Sequence, residues 1–169
     1  MYQIGDEVLY GIHGVCKITD VEERVVDRKH LRYFVLEPRD QAGARFLIPT
    51  HNEAALAKLR PVMSREDLET LLRSDAVRQD ASIPDESQRK QRYRELITGS
   101  DRTQLLQMVR SLHKHKHKQA QAQAGRKFHL CDENFLRDAE RLINAEFALI
   151  LDIEPKQVQS YVLSVLNEE

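Results

Sequence analysis

Ile4-Gly5-Asp6-Glu7-Val8-Leu9-Tyr10-Gly11-Ile12-His13-Gly14-Val15-Cys16-Lys17-Ile18-Thr19-Asp20-Val21-Glu22-Glu23 decides how the opening of this chain is read. Val8 and Tyr10 alternate with polar or exposed positions, the period of a half-buried strand. Gly11 and Gly14 bracket a loop, and Val15 to Val21 follow as a second strand. On this reading Gly5, Gly11 and Gly14 serve as turn glycines and His13 is a loop or core histidine.

The neighbouring segments extend the same pattern. Leu31-Arg32-Tyr33-Phe34-Val35-Leu36 is rich in β-branched, aromatic and apolar residues and stops at Pro38. Ala44 to Ile48 is a further short strand ended by Pro49, and Glu37 to Gly43 between them reads as a hairpin loop. Several short, twisted strands over residues 1–60 predict a small barrel or curled sheet.

Beyond residue 60 the period changes. Ser64 begins a helix signal, with Asp67 three residues on and Leu68, Leu71 and Leu72 on one face. Ser74 to Ser87, including Ile83-Pro84-Asp85, reads as a linker or loop. Ser87 to Ile97 forms a helix stopped by Thr98-Gly99-Ser100. Asp101 caps the next, with Gln104 in capping-box spacing and Leu105, Met108, Val109 and Leu112 as its apolar face. The low-complexity run Gln119 to Gly125 reads as an extension of that helix or as a loop. Asp132 is the expected cap of a long helix with Leu136, Ala139, Ile143, Phe147 and Ile150 on one side. Pro155 opens a last helix whose inner stripe is Val158, Tyr161, Val162, Val165 and Leu166. The stripes are read as core.

A chain of 169 residues allows one ordinary domain or two small ones. With 41% hydrophobic and 31% charged residues it is expected to be globular. No apolar run reaches the ~18 residues of a membrane span, and no basic segment followed by an apolar stretch opens the chain. Cys16 and Cys131 have neither metal-type nor redox spacing, so a reducing, cytoplasmic setting is expected.

The net charge of -1 hides a segregation. Residues 1–72 carry ten Lys and Arg against twelve Asp and Glu, a net of -2. Residues 86–130 carry eleven against three, a net of +8, and residues 131–169 carry three against nine, a net of -6. A basic stretch of this kind is the footprint of a polyanion partner. The competing reading is a solvated basic face paired in the fold with the acidic C-terminal segment. Within the basic stretch His113-Lys114-His115-Lys116-His117-Lys118 alternates strictly. On a helix His113 and His117 share a face and His115 points away. Two imidazoles fall short of the three or four ligands of a zinc site, and neighbouring lysines oppose a dication, so no metal and no cofactor is expected. A phosphate-facing basic surface is preferred.

The opening stretch matches G-D-x-V-x-Y-x-x-H-G-x-x-x-I-x-x-x-E, and on those residues the chain resembles the CarD family of bacterial transcription regulators, whose N-terminal module also occurs in transcription-repair coupling factors. Later segments are similar too: Phe46-Leu47-Ile48-Pro49-Thr50-His51-Asn52 at the end of the barrel, and Arg89-Lys90-Gln91-Arg92-Tyr93-Arg94 in a basic helix. Gly99-Ser100-Asp101 matches the family's break, and Met108-Val109-Arg110-Ser111-Leu112 and Glu146-Phe147-Ala148-Leu149 match its later helices. The resemblance spans about residues 4–151.

It implies an α+β fold in two domains. Residues 1–60 would be a small Tudor-like β-barrel that binds RNA polymerase through the β subunit. Residues 61–86 would be a helix and linker, and 87–169 an all-α helical bundle contacting promoter DNA. Such a protein tunes open-complex formation, reads no specific sequence, and has no catalytic activity, small-molecule substrate or membrane association. Arg24 matches a family arginine of the polymerase face. Leu47 stands where another arginine is common, and Arg45, two residues earlier on the same strand face, is its expected substitute. Arg89, Lys90, Arg92, Arg94, Lys114, Lys116 and Lys118 are the expected phosphate contacts. The chain has no Trp, whereas family members place one before the basic helix, at a position falling here near Glu86 or Ser87.

No local Ser/His/Asp or Cys/His arrangement and no Gly-rich nucleotide cradle is present, so an enzyme is not expected. Two alternatives to the polymerase reading are an RNA- or ribosome-associated module and a protein–protein adaptor whose basic and acidic halves neutralise each other. The net -2 of residues 1–72 favours a protein partner for the strand-rich part over RNA.

Overall fold

A long β-hairpin organises the N-terminal part of the molecule. In the computed structural model, which describes residues 1–99, 101–122 and 128–167, strand β2 (Val15–Val26) runs antiparallel to β3 (Lys29–Pro38). The two are joined by Asp27 and Arg28, with φ of 49° and 63°. Positive φ at both residues of a two-residue loop matches the right-handed twist of the strands. Both strands run further than the sequence pattern predicts. Residues 22–30 are mostly charged or exposed, and a ribbon with little buried surface leaves no apolar alternation to read.

Around this hairpin stand β1 (Glu7–Tyr10), β4 (Phe46–Pro49) and β5 (Leu59–Pro61). The sheet order is β4-β3-β2-β1-β5, every pairing antiparallel. The expected barrel is therefore not closed, because no pairing joins the edge strands β4 and β5. These are only four and three residues long. The chain between them forms a short helix, α1 (Glu53–Leu56), whose Ala55 and Leu56 pack on the core where a further paired strand would be needed. The core is Val8, Cys16, Ile18, Leu36, Ile48 and Leu59. A register shift between Ile18 and Asp20 lets Val21, after the bulge, face the way Ile18 does before it.

The signature residues have local reasons. Gly14 is buried at φ 69° and ψ −140°, a region open essentially to glycine alone. It ends a 3-10 turn, Gly11–His13, that stacks His13 on Tyr10 at 5.5 Å and sets it 4.2 Å from the Phe46 ring. His13 is thus an aromatic-cluster residue.

The molecule divides into two compact units, Met1–Val62 and Met63–Glu169. The second contains α2 (Arg65–Arg73), α3 (Asp75–Arg78), α4 (Glu86–Gly99), α5 (Arg102–Gln121), α6 (Leu130–Leu151) and α7 (Pro155–Asn167). The coarse expectation of a sheet followed by helices is met. Within the segment 74–87 read as a linker or loop, α3 forms and Val77 is fully buried in the helical core, as are Leu68 and Leu72 of α2. That core also holds Tyr93, Met108, Leu112, Phe147 and Val158. Ser64 accepts from Asp67 N–H at 3.0 Å and Asp101 from Gln104 N–H at 2.9 Å, as their spacing predicts. The expected cap at Asp132 is corrected: α6 begins at Leu130 after His129, and Asp132 lies inside the first turn. Part of the low-complexity run, 123–125, and the predicted stop at Ser100 fall outside the described residues.

Candidate polymerase interface and basic helical surface

Cross-strand register assembles the first site. Asp20, Glu22 and Arg24 stand opposite Val35, Tyr33 and Leu31, so these six share one sheet face. Leu47, opposite Val35 on the other side, joins them. Arg24 Nη2 donates to Glu22 Oε2 at 2.9 Å, and Arg45 Nη2 donates to Glu22 Oε1 at 2.9 Å. Arg45 Nε also lies 3.8 Å from Glu37 Oε1. One carboxylate thus holds both predicted arginines, each about half exposed, beside the apolar Leu47. The Arg24 hydrogen bond, helped by both guanidinium charges, holds the Glu22 carboxyl below its ordinary value. Glu22, the final E of the signature, is the residue that joins the two arginines.

Of the two thiols, Cys16 offers little chemistry. Cys16 is fully buried, and burial, reinforced by the Asp40 charge, pushes its thiol up to about 12. At neutral pH it is protonated and unreactive.

The basic helical surface is smaller than its composition predicts. Arg89, expected as a phosphate contact, is engaged within the fold. Its Nε and Nη2 donate to Asp132 Oδ1 and Oδ2 at 3.0 and 2.9 Å, and its Nη1 caps the Ile83 and Pro84 carbonyls. The Asp132 side chain is 1% exposed, and this hydrogen-bonded pairing raises the Arg89 pKa above its ordinary value. Arg102 likewise reaches Glu146, Nη2 to Oε1 at 2.7 Å. His113 pairs with Glu140 at 2.6 Å, and Lys116 approaches Glu133 at 3.7 Å. Four members of the +8 stretch therefore meet carboxylates of the acidic segment, the pairing that the competing reading anticipated.

Of the other described cations in the stretch, Arg110 donates from Nη1 to the Val77 carbonyl. Lys90 is held by Glu86 at 2.5 Å, within α4. Arg92 leans on Glu95 at 3.3 Å and on Gln104 at 3.5 Å. Among the described residues, Arg94, Lys114 and Lys118 are exposed and carry no carboxylate partner. Lys114 and Lys118 share one face of α5, whereas Lys116 turns to α6 and lies 5.7 Å from the Phe128 ring centre. Tyr93, the aromatic nearest the position of the absent Trp, is 2% exposed and packed edge-on against Phe135, so it presents no ring to a partner. No group of three His, Cys, Asp or Glu side chains among the described residues is placed to hold a metal, and no described helix is long and apolar enough to cross a membrane.

The N-terminal unit is an open antiparallel sheet with a clasped arginine pair on one face. Residues 2–63 match the family model described as the CarD-like/TRCF RID domain, and the chain therefore carries a CarD-like RNA polymerase-interacting domain. A search of curated proteins gave no match.

Proposed function

We propose that the protein is a bacterial transcription regulator that docks on the β subunit of RNA polymerase through its N-terminal sheet and contacts promoter DNA through its helical unit, tuning open-complex formation. The match of residues 2–63 to an RNA polymerase-interacting domain carries the reading. The face formed by Arg24, Arg45 and Leu47 is the docking surface, with Glu22 fixing both guanidiniums. Apolar contact beside pre-ordered arginines suits a protein partner, since immobilised side chains lose less freedom on binding. Arg92, Arg94, Lys114 and Lys118, with Lys90 and Lys116 beside them, supply phosphate contacts; Arg89 positions α4 on α6 instead.

Retention of purified bacterial RNA polymerase, and of its isolated β subunit, by the immobilised full-length chain tests the docking. Retention is expected, weakened by Arg24→Glu and by Arg45→Glu. Absence of retention at low salt by a correctly folded chain overturns the proposal and favours an RNA partner.

A further inference from the structure

Among the described residues the helical unit has an opening whose aliphatic walls the transcription role does not use. A cavity of about 410 Å3 lies between α5, α6 and α7. This volume falls within the roughly 300–1,000 Å3 typical of small-molecule sites. Its walls are aliphatic, with Leu106 and Val109 from α5, Ile143 from α6, and Val158, Val162 and Leu166 from α7. Among the described residues neither Phe nor Tyr lines it. Leu163 forms part of the lining and is 50% exposed, an apolar residue without full cover.

The polar groups are distributed unevenly. Arg110, His113, Lys114 and His117 all come from α5, at the spacing of one helical stripe. Among the described residues the one carboxylate in the lining, Glu140, is already engaged by His113 at 2.6 Å. Arg110 Nη1 is fixed on the Val77 carbonyl, while Lys114 has no carboxylate partner among the described residues. The α5 wall is therefore cationic, and the α6 and α7 walls are mostly aliphatic, with the neutral amides Asn144 and Gln159 among them.

We propose that this cavity binds a medium-chain aliphatic carboxylate, its chain against the α6 and α7 side chains and its carboxylate at Lys114. The aliphatic lining selects a flexible chain over a planar ring, and the α5 stripe selects an anion. The proposal stands independently of polymerase docking.

Titration calorimetry of the full-length protein with decanoate, decanol and decyltrimethylammonium, each below its aggregation threshold, tests it. Saturable one-to-one binding of decanoate is expected, about tenfold tighter than that of the cation. Lys114→Glu removes that preference, and Leu163→Glu weakens both decanoate and decanol. Both residues are exposed, and thermal melts by circular dichroism verify that the variants fold; Lys114→Gln and Leu163→Ser replace either one that does not. The proposal is overturned by no saturable binding, by equal binding of the cation, or by binding that neither variant alters. It is also overturned if the protein sediments as a dimer that Leu163→Glu dissociates while decanoate fails to bind, because a second copy then covers the groove.

Discussion

Arg89 and Asp132 meet through two parallel hydrogen bonds of 3.0 and 2.9 Å, joining α4 to the first turn of α6 across 43 residues of chain. The pair is nearly sealed from water, with side chains 11% and 1% exposed. Breaking it leaves an uncompensated buried charge, so Asp132→Ala is expected to destabilise the protein by about 3–5 kcal/mol in chemical denaturation. The double variant Arg89→Met, Asp132→Leu removes both charges together and is expected to lie near the parent. A loss for the double variant as large as for Asp132→Ala would mean that the pair stabilises the fold beyond charge compensation. Because Arg89 is shifted upward in the folded state, stability from its end of the pair is fully present below the ordinary guanidinium value. It is lost only as pH rises through the folded value, so it does not vary across the neutral range.

This pair also marks what local sequence could and could not reveal. Ser64, Asp101 and Pro155 announce helix starts because a cap is satisfied within three residues or by proline's own backbone angle. Asp132 carries the same local signal, yet a partner on α4 takes its carboxylate, and no nearby residue records that. Glu22 is the converse case. Its place in the signature was visible, but its bond to Arg45 spans 23 residues and depends on β2, β3 and the approach to β4 being in register. The apolar stripes were legible through their period, whereas the neutralisation of the basic stretch required knowing which helices touch.

The turn between β2 and β3 gives a stability prediction. Arg28 holds φ at 63°, a conformation that costs a residue with a Cβ roughly 1–2 kcal/mol and glycine almost nothing. Arg28→Gly places Asp-Gly, a favoured sequence for a two-residue hairpin, at positions 27–28. It is expected to stabilise the protein by about 0.5–1 kcal/mol, after part of the gain is offset by the greater freedom of glycine in the unfolded chain. Equilibrium denaturation measures it, and a destabilised variant would contradict the assigned turn.

The Glu22 carboxyl is expected to titrate below the other exposed glutamates by side-chain carbonyl NMR. Arg24→Gln should move its midpoint upward more than Arg45→Gln does, because the Arg24 hydrogen bond is the larger cause of the depression. A carboxyl held low in the folded state contributes stability above its ordinary value, and that contribution fades as pH falls through the folded value. Since Glu22 is solvent-accessible, the effect on stability is small and the titration itself is the sensitive readout. Identical midpoints in the two variants would show that the clasp does not persist in solution.

Salt dependence separates the cations that face solvent from those held by the fold. Each phosphate contact contributes about 0.9 to the slope of log affinity against log salt on duplex DNA. Lys114→Gln combined with Lys118→Gln should therefore lower the slope by about 1.8, and Arg94→Gln by about 0.9. Lys116→Gln and Lys90→Gln should change it less, because Glu133 and Glu86 already compete for those ammonium groups. Fluorescence anisotropy with a labelled duplex at several salt concentrations provides the slopes. A slope unmoved by the Lys114 and Lys118 pair but lowered by Lys116→Gln would put the DNA on the α6 side of α5 instead. Affinity should fall equally for unrelated duplex sequences, since ammonium-to-phosphate contacts carry no base information.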